Sequence, residues 1–213
     1  MKITSISSVA MAALLLAACG GGAEPDASTT PETPETGNAT EDQSYYSLDT
    51  DQSRVHWKGV MLGVKEHSGD LKFKPGSYVA LSDGRIVGGE LIVDMSTMTA
   101  TDDWTYTEDY SREKLVGHLS SPDFFDVANH GEARLVLGTQ KGNGVSGELT
   151  VRGKTNSESV TELEIRADDN AMKGVAKLVF DRQNYDVTWS TGAQDMVLSD
   201  DIELTAEIKA YKK

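Results

Sequence analysis

From Ser53 to Ile208 the chain alternates apolar and polar residues, and this period of two most restricts what it can fold into. "SRVHWKGV" sets Ser53, Val55, Trp57 and Gly59 on one face, with Arg54, His56 and Lys58 on the other. Leu71 and Phe73 alternate with Lys72 and Lys74, and Leu91, Val93 and Met95 share a face. Further sets are Ala133, Leu135 and Leu137; Gly147, Leu149 and Val151; Thr161, Leu163 and Ile165; Ala176, Leu178 and Phe180; and Ile202, Leu204, Ala206 and Ile208. Successive side chains of a strand leave opposite faces, so each set lines one side of a sheet. One apolar and one solvated face is the antiparallel pattern. Turn-forming "KPGS", "SDGR", "KGNG" and "ADDN" punctuate these runs. Eight or more strands are expected, in a mainly β fold that curls into a barrel or folds into a sandwich.

One region breaks the period. "TYTEDYSREKLVGHL", Thr105 to Leu119, reads as a helix, with Thr105 and Glu108 as a capping box and Gly117 weakening its far end. Ser121-Pro122-Asp123 is a second start signal, so "SPDFFDV" reads as one short helical turn. On a helix, Phe124 and Phe125 would diverge by about 100°. One ring then covers the sheet while the other faces a neighbouring element or a cavity rim.

The chain begins differently. Lys2 precedes the apolar run Val9–Ala18, which is shorter than the roughly 20 residues needed to span a bilayer. It ends in "LAAC", which resembles the bacterial lipobox. Residues 1–18 are expected to be a lipoprotein signal peptide, with lipid attached at Cys19, the chain's one cysteine. Gly20 after it leans toward the outer membrane, facing the periplasm. Residues 20–44 carry six carboxylates, no Lys or Arg, and almost nothing apolar. Residues 19–44 therefore read as the acylated cysteine and a disordered acidic tether. The folded body is expected over 45–213, long enough for one domain with a core. The net charge of −14 argues against nucleic acid, whose binding rests on cationic side chains.

Candidate chemistry is sparse. The four histidines, His56, His67, His118 and His130, lie at no metal-binding spacing, so no metal site is expected. Asp181 and Arg182 open a bend, where a structural ion pair outweighs a head-group contact. "SREK", "GELTVRGKT" and "DTDQS" echo enzyme, phosphate-loop and calcium-loop strings but lack the required companions. No nucleophile, base and orienting group assemble, so neither catalytic residues nor an enzyme is expected.

Four stretches carry a resemblance. "GHLSSPDFFDV", "SGELTVRGKT", "FDRQNYDVTW" and "DDIELTAEI" occur in this order and look like the patterns of the YceI-like proteins. The sequence differs at "REKLVGHL", where that family often writes R-D-x-H-L, and in "TWSTGAQDMVLSDD", which lacks the usual glycine-rich start. The resemblance implies a lipocalin-like antiparallel β-barrel of about eight strands with a short helical insertion. It also implies an apolar tunnel for a long-chain isoprenoid, a quinone or another apolar lipid. The expected tunnel lining is Val55, Trp57, Phe73, Leu91, Val93, Leu119, Phe124, Phe125, Leu135, Leu149, Phe180, Trp189, Ile202 and Leu204, with His118 and Arg182 as candidates at the mouth. The expected function is carriage, storage or sequestration of such a lipid by a membrane-anchored protein, without a separate cofactor. The rival readings are a structural or stress-response lipoprotein with a filled barrel, acting through its surface, and an enzyme acting on a lipid head group. A homodimer stays open as a partner.

Overall fold

The computed structural model describes residues 43–62, 65–103, 106–107, 110–190, 192 and 197–213. The expected signal peptide, Cys19, the tether up to residue 42, Thr105 and Glu108 lie outside the described residues. Within them, strands β1 (Ser44–Leu48), β2 (Arg54–Leu62), β3 (Lys65–Phe73), β4 (Tyr78–Ser82) and β5 (Arg85–Asp94) come first. Helix α1 (Arg112–Ser120) follows, and then β6 (Glu132–Lys141), β7 (Gly144–Val151), β8 (Lys154–Ala167), β9 (Ala171–Asp181) and β10 (Val197–Lys212). Strand β1 begins at Ser44, the last residue of the expected tether.

All pairings are antiparallel, and β5 bonding to β6 closes the ring β5-β3-β2-β10-β9-β8-β7-β6. The result is a closed barrel of eight strands. At one end β1 and β4 replace β2 and β3 in the ring: β4 pairs with β5 from Tyr78↔Glu90 onward, and β1 pairs with β10 from Tyr46↔Lys212. Either level is therefore eight strands around, and closure removes edges that would otherwise recruit other chains. Strand β3 meets β5 only at Lys72↔Asp94 and Phe73↔Val93. The segment after β5 covers the rest of that edge: the Thr99 N–H donates to Asp70 O and the Thr101 N–H to Ser68 O.

The β1–β4 end is largely filled by side chains. Tyr46, Val79, Leu81, Ile86, Val145, Val160, Met172 and Ala210 are buried there. The Tyr46 hydroxyl finds the Asp168 carbonyl at 2.8 Å, so its one polar atom is satisfied. Asp83 and Gly84, both at positive φ, make the two-residue β4–β5 turn, as "SDGR" leads one to expect.

Local structure departs from the sequence expectation in three places. Helix α1 starts at Arg112, and its N-cap is Ser111, whose hydroxyl accepts from the Lys114 N–H. Gly117 does not end it, and it runs to Ser120. Thr161 is exposed rather than facing inward, because a bulge with Glu162 at φ 48° shifts the β8–β9 register between Thr161 and Glu164. An extra residue in one strand sends the next side chain to the opposite face. "SPDFFDV" forms consecutive hydrogen-bonded turns rather than helix, the Asp126 N–H donating to Ser121 O with Asp126 at φ 49°.

Gly69 on β3 lets the covering segment approach. A Cβ there would sit 1.7 Å from Thr99 O and 2.8 Å from Trp57 Nε1, whose N–H donates to that same oxygen. Gly69→Ala is expected to cost about 1–3 kcal/mol, as overpacking does. Urea unfolding should show a lower midpoint at unchanged slope.

Candidate functional site

The other end of the barrel is hollow. Its residues enclose a cavity of about 510 Å³, within the usual span of small-molecule sites. Leu91 and Leu135 are cross-strand partners that face both this cavity and a gap of about 40 Å³ toward the packed end, so they form its floor. The walls come from alternating inner positions: Val55, Trp57, Gly59 and Met61 on β2, Leu71 and Phe73 on β3, Leu149 and Val151 on β7, and Leu178 and Phe180 on β9. Ile202 and Leu204 of β10 complete them.

The roof is α1 and the turns after it. Ser111, Lys114, Leu115, His118 and Leu119 line the cavity, the spacing of one helix face. Phe124 and Phe125 both lie in the wall, their ring centroids 5.0 Å apart at 65°. The turn conformation allows what a helix would forbid, and edge-to-face packing suits the ring quadrupoles. Trp189 and His118 join them: the His118 ring lies 4.7 Å from Trp189 and 5.6 Å from Phe124, edge-on to each.

All fourteen apolar positions expected to line a tunnel sit in this wall, as does His118. His118 Nε2 is buried without a hydrogen-bond partner, turned among aromatic rings. Arg182 is elsewhere. It is 2% exposed and donates to the carbonyls of Ser199, Val187 and Trp189 and to Asp200 Oδ1 at 2.9 Å. Its ion-pair partner is thus Asp200; Asp181 instead caps the next turn by accepting from the Gln183 N–H. Ser111 of the "SREK" string is the α1 cap, "GELTVRGKT" is the β7–β8 hairpin, and Asp49 of "DTDQS" closes a turn on the N–H groups of Asp51 and Gln52. Among the described residues, no three His, Cys, Asp or Glu side chains converge as a metal site.

A polar cluster that sequence reasoning did not assemble also borders the cavity. Tyr106 Oη donates to both oxygens of Asp102, at 3.2 and 3.0 Å. His67 Nδ1 lies 3.2 Å from the same carboxylate, which also accepts the Ser68 N–H at 3.2 Å. Arg112 donates to Asp102 O at 2.7 Å, and its guanidinium sits 4.8 Å over the Tyr106 ring. Burial, then the hydrogen bond to Asp102 and that carboxylate's charge, push the Tyr106 phenol up to about 12. His67 and Tyr106 line the cavity and Asp102 is buried behind them.

The YceI-like domain model matches residues 46–210. The chain belongs to the YceI-like family. Two solved structures share the YceI-like fold at low identity. One is BcnA of Burkholderia cenocepacia, 16% identical, with TM-score 0.54, covering 76% of this chain and 99% of its own. The other is a polyisoprenoid-binding domain from Saccharophagus degradans implicated in plant cell wall breakdown, 13% identical, with TM-score 0.53, covering 79% of this chain and 98% of its own. No curated protein matches the sequence.

The raised Tyr106 pKa has a sign that can be checked. Its neutral form is favoured by folding, so its contribution is present below about 10, the ordinary value, and fades as pH climbs to about 12. The stability gap between the native protein and Tyr106→Phe, from denaturant unfolding, should therefore narrow across that window.

Proposed function

We propose that the barrel binds a long apolar lipid, an isoprenoid chain or the tail of a quinone, in the cavity beneath α1. The observation that carries this reading is a cavity of about 510 Å³ walled by apolar side chains and roofed by Phe124, Phe125 and Trp189. At roughly 30 Å³ per non-hydrogen atom, the share of a liquid water molecule, this volume takes on the order of 15–20 such atoms. That is the carbon count of three or four isoprene units. Each methylene moved from water into it contributes about 0.8 kcal/mol, so affinity comes from length rather than from polar contacts. A longer chain would keep its remaining units outside the mouth.

A filled barrel acting only through its surface has no side chains to occupy this volume, which favours the carrier reading. The carrier is read as a binding protein and not an enzyme. Its expected setting is the periplasmic face of the outer membrane, held by lipid on Cys19 and the acidic tether after it. Ser44, where that tether meets β1, pairs with Leu81 at the packed end of the barrel, away from the cavity. Under this reading the tether's length leaves the mouth able to approach and leave a bilayer.

The test is to express residues 44–213 without the anchor, extract the purified protein with organic solvent and identify released lipids by mass spectrometry. A stoichiometric prenyl or quinone species is expected. An empty extract, with no uptake of added isoprenoid quinone, would overturn the proposal. Leu135→Trp, which fills the cavity from its floor, should remove most of the bound lipid while the protein still melts cooperatively. Retention of lipid by that variant would place the ligand elsewhere.

A further inference from the structure

We infer that the cross-strand pair Leu91 and Leu135 sets the longest stretch of apolar chain the barrel can hold, by stopping its far end. This rests on the proposed lipid-binding reading and adds a length selectivity to it.

Leu91 on β5 and Leu135 on β6 are partners in the strand pair that closes the ring. They are the only described residues that border both the cavity of about 510 Å³ and the gap of about 40 Å³ beyond it. Two side chains therefore separate the two spaces. The gap is lined in part by Gly174 and Ala176 of β9, which present little bulk to it. Beyond it Val79, Ile86, Val145 and Met172 are buried in the packed end. A chain that enters beneath α1 can follow the apolar wall as far as the pair and no farther, because the gap behind has room for about one more non-hydrogen atom.

The placement of Leu135 is built into its neighbour. A Cβ on Gly147 of β7 would sit 2.8 Å from Leu135 Cδ1, so the missing side chain makes room for the leucine. Gly147 pairs with Leu137, two residues nearer the packed end, so Leu135 leans along β7 toward the gap. Leu135 is half-buried and borders the cavity, and its methyl groups are what a chain end meets.

A saturating length follows. Isoprene units inside the cavity leave water and add affinity, whereas units outside the mouth stay wet and add none. Truncating either leucine to alanine removes three carbons, about 90 Å³ at roughly 30 Å³ per atom. Joined to the gap, this opens about 130 Å³, close to the room one more isoprene unit needs. A pair that served only to pack the barrel would change the binding of every length alike when truncated.

The experiment uses delipidated residues 44–213, which hold every strand of the ring. It measures displacement of the fluorescent probe N-phenyl-1-naphthylamine by geraniol, farnesol, geranylgeraniol and geranylfarnesol. Ratios are taken within each variant, so the probe's own affinity cancels. In the native sequence affinity should climb with length and level off at about fifteen to twenty carbons. Leu135→Ala and, separately, Leu91→Ala should carry the climb one unit further, so that the first length past the native plateau gains about tenfold. Leu135→Phe should shift the plateau the other way. Urea unfolding checks that each variant is folded, and if neither alanine variant folds, the direction of the Leu135→Phe shift decides. A native series that climbs without levelling, or folded variants that level at the native length, would overturn the inference and leave the lipid-binding reading standing. An equal loss at every length would overturn it too, making the pair core packing. No displacement by any of the four alcohols would sink the lipid-binding reading itself.

Discussion

Everything else in this molecule depends on the hydrogen-bonded closure of β5 onto β6. Once Gly89–Asp94 pairs with Leu137–Glu132, the sheet has an inside and an outside, and period-two alternation assigns each residue to one of them. The inner face is apolar because the chain could not otherwise bury it. It also has two unequal ends. Where β1 and β4 join the ring, Tyr46, Leu81 and Met172 fill the interior. At the other end the enclosing elements sit over the barrel instead of in it, and the space stays open.

That arrangement puts two chemistries on one cavity. The floor and walls are mostly apolar, with Trp57, Phe73 and Phe180 among aliphatic side chains, and further aromatic rings crowd the roof. The His67–Asp102–Tyr106 group is directional. Its cost is a buried carboxylate, compensated by three hydrogen-bonding partners at 3.0 to 3.2 Å. A mostly apolar lining with a few oriented polar atoms at one edge is the usual composition of small-molecule sites.

Arg182 illustrates how a motif residue is spent on architecture. At 2% exposure its guanidinium is held by three carbonyls and Asp200, tying the end of β9 to the start of β10. A bound charge with its donors so used holds the strands that frame the cavity, and it does so from outside the cavity. From the sequence the same residue looked like half of an ion pair with its neighbour, because the carbonyls that hold it belong to residues whose backbone direction no spacing rule gives.

The sequence by itself determined most inner and outer faces of the strands, the turns at "SDGR" and "KGNG", and the strand residues expected in the cavity wall. These follow from local geometry, since a strand has a period of two whatever it packs against. Tertiary structure decided the rest. The bulge at Glu162 turned Thr161 outward, and the turns after α1 brought Phe124 and Phe125 to the same cavity. The pairing of His67 with Asp102, 35 residues apart, arose because the segment after β5 must cover the β3 edge. Whether the interior would be filled or hollow was likewise undecided by alternation, which fixes which way a side chain points but not how far away the opposite wall stands.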